Sequence, residues 1–158
     1  MKVVPTVANS IGRGLVAGFA GTAAMTVSST LEAKLRGRAP SSAPARATAK
    51  MLGIKEFEDD IAKARFNDLS HWGYGTGWGV LRGLLGATPM SSRAATLAHG
   101  AAIYGAAQVT LPALEIAPPS IFWGAREIAI DAFHHAVYAA ATGLAYGLIA
   151  GRNGNRAA

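Results

Sequence analysis

His71-Trp72-Gly73-Tyr74-Gly75-Thr76-Gly77-Trp78-Gly79-Val80-Leu81-Arg82-Gly83-Leu84-Leu85-Gly86 decides how the rest of the chain is read. In water, so many glycines would argue for a loop, since each costs a helix interior roughly 1 kcal/mol. Gly75, Gly79 and Gly83 recur every four residues, however, and so share one helix face. Trp72, Trp78, Val80, Leu84 and Leu85 surround that face. In lipid a helix satisfies its own backbone, and small residues let two backbones close on each other. The stretch therefore reads as a tightly packed spanning helix.

Three other stretches repeat the pattern. With this one they run over 14–31, 72–88, 94–114 and 128–150, each near the roughly 20 apolar residues that a span needs. Gly14 and Gly18 are four apart in the first; Ala94, Ala98, Ala101 and Gly105 mark the third; Ala139, Gly143 and Gly147 mark the fourth. The expectation is an all-α, four-transmembrane-helix bundle, a single membrane domain over 1–158 closed by Gly and Ala contacts. The first span is expected to be retained, because its apolar run continues past Met25 to Leu31, beyond the extent of a signal peptide. A polar loop, 32–69, separates the first two spans. Pro40, Ser41, Ser42 and Pro44 interrupt helix there, and Ala45–Leu52 and Lys55–Leu69 read as short amphipathic helices on either side of Gly53.

Composition supports this class. Charged residues make up only 15% of the 158, and the mean hydropathy is +0.25. Cysteine is absent, which removes disulfides and thiolate metal sites. The net charge of +6 invites nucleic-acid binding. The excess lies beside the apolar segments, though, and no DNA- or RNA-binding signature accompanies it, so the lipid bilayer is the expected partner. The first and third loops hold more Lys and Arg than the opposite side, which places the long loop in the cytoplasm and both termini outside.

Polar residues inside spans are costly and mark functional candidates. Arg82 lies well inside the second span and His99 enters from the other side; both are intramembrane polar candidates. Arg82 has a plainer reading, in which it snorkels to headgroups or bonds carbonyls. Near the loop side, Glu32, His71, Glu115, Glu127, Asp131, His134 and His135 form a carboxylate–histidine set that could take a divalent metal or pass protons. Its plainer reading is helix anchoring, since no complete metal motif is present. No cofactor is predicted. Gly75-Thr76-Gly77-Trp78-Gly79 lacks the lysine and strand of a phosphate loop, and no serine sits in a nucleophile elbow. The chain is therefore expected not to be an enzyme.

Ala17-Gly18-Phe19-Ala20-Gly21-Thr22 with Met25, His71-Trp72-Gly73-Tyr74-Gly75 running to Gly79, Gly100, Tyr104-Gly105 and His134-His135-Ala136-Val137-Tyr138 together resemble the YagU-like group of small bacterial inner-membrane proteins. The resemblance spans about Arg13 to Gly151. It implies a multi-pass inner-membrane location and brings no established catalytic residues. The expected role is association with a membrane-protein partner or a second copy, or membrane homeostasis. The alternative is a small transporter or proton- or metal-handling protein built on the carboxylate–histidine set.

Overall fold

The computed structural model describes residues 7–154, with side chains to 151. Among the described residues there is no strand. Five helices follow in order: α1 Val7–Leu35, α2 Ala43–Leu52, α3 Asp60–Gly86, α4 Ser92–Ala113 and α5 Ala125–Gly154, with a 3-10 turn Ser120–Phe122 before α5. Local chemistry sets the boundaries. Asp59 accepts the Ala62 amide at 2.6 Å and starts α3, and Ser91 accepts the Ala94 amide at 3.2 Å and starts α4. Gly53, at φ 71°, ends α2 in the left-handed conformation that glycine adopts freely.

The helix expected over Lys55–Leu69 and the span expected over 72–88 are one continuous helix, α3. Asp59 supplies a cap, and nothing between Asp60 and Trp72 breaks the helical run. Lys55–Glu58 stay outside it. Pro44, expected to interrupt, instead occupies the first turn of α2, where its missing N–H costs nothing.

α1 is the central helix and packs on α3 and α5, while α4 packs mainly on α5. Pairings along the helices fix an up-down-up-down order. Gly14 meets Gly79 and Gly83, Thr22 meets Gly75, and Thr26 meets His71, so α1 and α3 run antiparallel. Gly21 meets Tyr138, and Arg36 meets Glu127, so α1 and α5 are antiparallel as well. Thr96 against Gly143 and Gln108 against Asp131 give the same relation for α4 and α5.

Glycine makes the α1–α3 contact possible. A methyl group at Gly18 would come within 2.8 Å of the Gly79 Cα, and one at Gly83 within 2.8 Å of the Ile11 Cα. Gly14, Gly75 and Gly79 are equally filled by the facing helix, and Gly143 by Thr96. Gly147 departs from expectation: it faces open space. An α-helix advances about 400° in four residues, so a face marked every fourth residue drifts. By the third member of the Ala139–Gly143–Gly147 series the inward position has passed to Tyr146.

Burial is inverted relative to a water-soluble bundle. The largest fully buried side chains are Arg82, Tyr138, His99, Thr22, Thr142 and Ser10. Val27, Leu97, Val109 and Leu144 are each at least 70% exposed. By length and average composition, α1 is the one described helix apolar enough to cross a membrane; α3, α4 and α5, expected as spans, do not meet that measure. Arg82, His99, His134 and Thr142 are buried on their inward faces, while Asp60, Lys63, Arg65 and Asp68 of α3 and Arg126 and Glu127 of α5 are exposed.

Candidate functional site

The buried polar residues form a column along the bundle axis. It begins at the end that carries the α3–α4 turn, where Arg82 is 1% exposed. Its guanidinium lies 4.2 Å from the centroid of the Tyr146 ring, and Nη2 donates to Ser92 Oγ at 3.3 Å. Among the described residues Nε and Nη1 have no partner, and the guanidinium makes no hydrogen bond to a carbonyl. Ser10, whose hydroxyl is buried without a partner, lies on α1 at the level of Gly83.

His99 is fully buried and approaches the Trp78 carbonyl through Nε2 at 3.1 Å. Its ring lies 5.6 Å from that of Tyr138. Arg82 and His99 thus share the interior but spend their hydrogen bonds on different partners. Tyr138 donates to the Gly75 carbonyl at 2.6 Å, beside Thr22. Next along the axis, Thr26 Oγ1 lies 2.7 Å from His71 Nε2, and Ser28 Oγ 2.9 Å from His134 Nδ1. Glu32 closes the column, 3.8 Å from His134 Nε2.

Of the seven residues expected as a carboxylate–histidine set, His135 meets Asp131 at 3.5 Å and His134 meets Glu32 at 3.8 Å, but the set does not gather into one site. Glu115 pairs with Lys50 of α2, Glu127 with Arg36, and Asp131 accepts from Gln108 at 3.1 Å. His135 points toward α4, with its ring 5.3 Å from Tyr104, while His134 alone turns into the interior. His71 engages Thr26. Among the described residues, no three His, Asp or Glu side chains come together as a cation-holding group. Adjacent histidines point in different directions on a helix, so the set divides into a Glu32–His134 pair and an Asp131–His135 pair.

Ion pairs dominate the loop side. Arg38 and then Arg36 hold the Glu32 carboxyl down to about 2, against an opposing push from its burial. Arg36 keeps Glu127 below the usual carboxylate range, and Lys50 does the same for Glu115. The reciprocal effect of Glu127 and Glu32 raises Arg36.

Ser28, His134 and Glu32 have the order of a nucleophile, base and carboxylate, but not the chemistry. Ser28 Oγ donates to the Met25 carbonyl at 3.0 Å, which leaves it to accept from His134, the reverse of an activated serine. The surrounding helix amides are committed to helix bonds and offer no oxyanion hole. The sequence reading missed Ser10, Thr26 and Thr142, whereas Thr22 and Ser28 could be read as hydrogen-bonding between helices, as Ser28 does with His134. The spacing of Ser10, Thr22 and Thr26 along α1 was the available signal. No protein-family model, curated protein or solved structure matches the chain.

Proposed function

We propose that this chain is a four-span integral protein of a bacterial inner membrane, akin to the YagU-like group, that acts by association and not by catalysis. The inverted burial carries the reading: arginine, histidine, tyrosine and threonine fill the interior while leucine, valine and phenylalanine cover the outside. In water that arrangement would forfeit the burial of apolar surface that drives folding; in lipid it costs nothing. On α3, α4 and α5, Arg82, His99, His134 and Tyr138 face inward, and Leu84, Leu97, Phe133 and Leu148 face out. From Ser10 to Glu32, α1 rises about 33 Å, close to the thickness of the hydrocarbon layer. Fractionation after detergent-free lysis tests this. The protein should sediment with membranes and resist alkaline extraction; recovery in the supernatant would end the reading.

Association has a face available. Gly75, Gly79 and Gly83 are consumed inside the bundle, whereas Gly73 and Gly77 look outward with nothing against them. With Tyr74, Trp78, Leu81 and Leu84 they line an open groove of about 420 Å³. Gly77→Leu should leave the fold intact and abolish a cross-linked complex. Unchanged cross-linking would count against an association role.

A second reading, passage of protons or a small polar solute, is favoured by the column from Arg82 to Glu32. Reconstituted vesicles test it: Tyr138→Phe should cut a measurable flux, and a flux equal to that of empty vesicles excludes transport.

A further inference from the structure

Charge is distributed unequally between the two ends of the bundle. Every Asp and Glu of the chain lies in α1 beyond Thr30, in the long loop, in the first three turns of α3, or between Glu115 and Asp131. All belong to the loop side. Along α3, Arg82 is fourteen residues from Asp68, and along α5 Tyr146 is fifteen from Asp131. At 1.5 Å per residue, the nearest carboxylates on these helices are about 20 Å away. Among the described residues Arg82 is thus a buried guanidinium without a counter-ion, with Nε and Nη1 both unpartnered. A charge left this way costs several kcal/mol unless an anion compensates it.

The surroundings specify the compensating group. The guanidinium is clamped on one face by Tyr146 and reaches Ser92, the first residue of α4. Ser91 caps the Ala94 amide, and helix geometry leaves the Ser92 and Arg93 N–H groups without partners inside the helix. The positive end of α4 therefore meets a buried arginine that has donors to spare. Ser92 and Arg93 are exposed, so the guanidinium lies one side chain beneath the surface. A ligand reaches it by displacing a single 3.3 Å hydroxyl contact.

We propose that this end of the bundle is a binding site for a phosphate-type oxyanion, with Arg82 as principal ligand and the α4 N-terminus with Arg93 completing it. A tetrahedral oxyanion can take the Arg82 fork, backbone amides and a second cation together. The chemistry is shared by a free phosphate and by the phosphate of an anionic lipid headgroup. The lipid source rests on the membrane reading above; the free-ion source does not.

The test uses the full chain, purified in detergent and delipidated. Inorganic phosphate should raise the thermal midpoint in a saturable way, while chloride at equal ionic strength should not. In a second arm, nanodiscs of neutral phosphatidylcholine are compared with discs containing phosphatidylglycerol. Stabilisation by phosphatidylglycerol but not by phosphate assigns the site to a headgroup, and the reverse assigns it to a free ion. Either supports the site. Arg82→Gln should weaken the effective ligand roughly 10–100-fold, as expected for a lost charge-assisted pair. If Arg82→Gln fails to fold, exposed Arg93→Gln serves instead and should weaken binding several-fold. No response in either arm, or a response that these substitutions leave unchanged, overturns the proposal. Sedimentation is read separately, so a protein that binds phosphate but stays in the supernatant loses the membrane reading alone.

Discussion

The most consequential residues are those whose surroundings contradict their type. Arg82 and His99 are buried where leucine would be ordinary, and Val27 and Leu97 are exposed where lysine would be. Arg82 and His99 were legible in the sequence because ionisable groups stand out in an apolar run. Ser10, Thr26 and Thr142 were not, because hydroxyls are common in such helices and only packing turns them inward. Glu32 yields a prediction with a definite sign. Its carboxyl sits near 2 in the fold against an ordinary 4.5, so its ion pairs stabilise the protein above the ordinary value. That contribution drains away as pH falls from 4.5 toward 2. Thermal midpoints in detergent should drop across this window, and Glu32→Gln should flatten the drop. Equal slopes for the two proteins would mean that the pairs with Arg36 and Arg38 contribute nothing.

For the helices, the four-residue spacing of glycine predicted contact well for α1 and α3 and less well for α5. Gly14, Gly18, Gly79 and Gly83 face each other across an antiparallel pair, so both ridges follow the same four-residue rows. On α5 the row drifts, and Gly147 is left open. The two positions make a matched test. Gly18→Leu drives a side chain into the α3 backbone and should cost more than the 1–3 kcal/mol usual for overpacking. Gly147→Leu meets only open space and should change stability by less than about 0.5 kcal/mol. Midpoints of chemical unfolding in detergent measure both; similar losses would refute the packing assignment. The α3 boundary was misread for a related reason. A polar turn followed by an apolar one looks like two elements, yet helix continuity depends on caps and breakers and not on hydropathy.

Across the molecule, the two ends are held together by different means. On the loop side Arg36 joins α1 to α5, Arg38 returns to Glu32, and α2 is laid across the gap. There Lys50 binds Glu115, which turns the chain at φ 52° just past α4, and Arg46 donates to the Ile116 carbonyl at 2.7 Å. Each exposed pair is worth little alone, but together they stitch three connections into one cover. Among the described residues, the opposite end has no ion pair; backbone-to-backbone glycine contact, the Arg82–Tyr146 stack and the Arg82–Ser92 hydrogen bond hold it. Hydrogen exchange should report the difference. Amides in the last turn of α3 should exchange faster than the equally hydrogen-bonded amides near Leu35 and Ala113; uniform protection would contradict it. A bundle sewn shut at one rim and merely nested at the other comes apart first at the nested rim, the one beside Ser92.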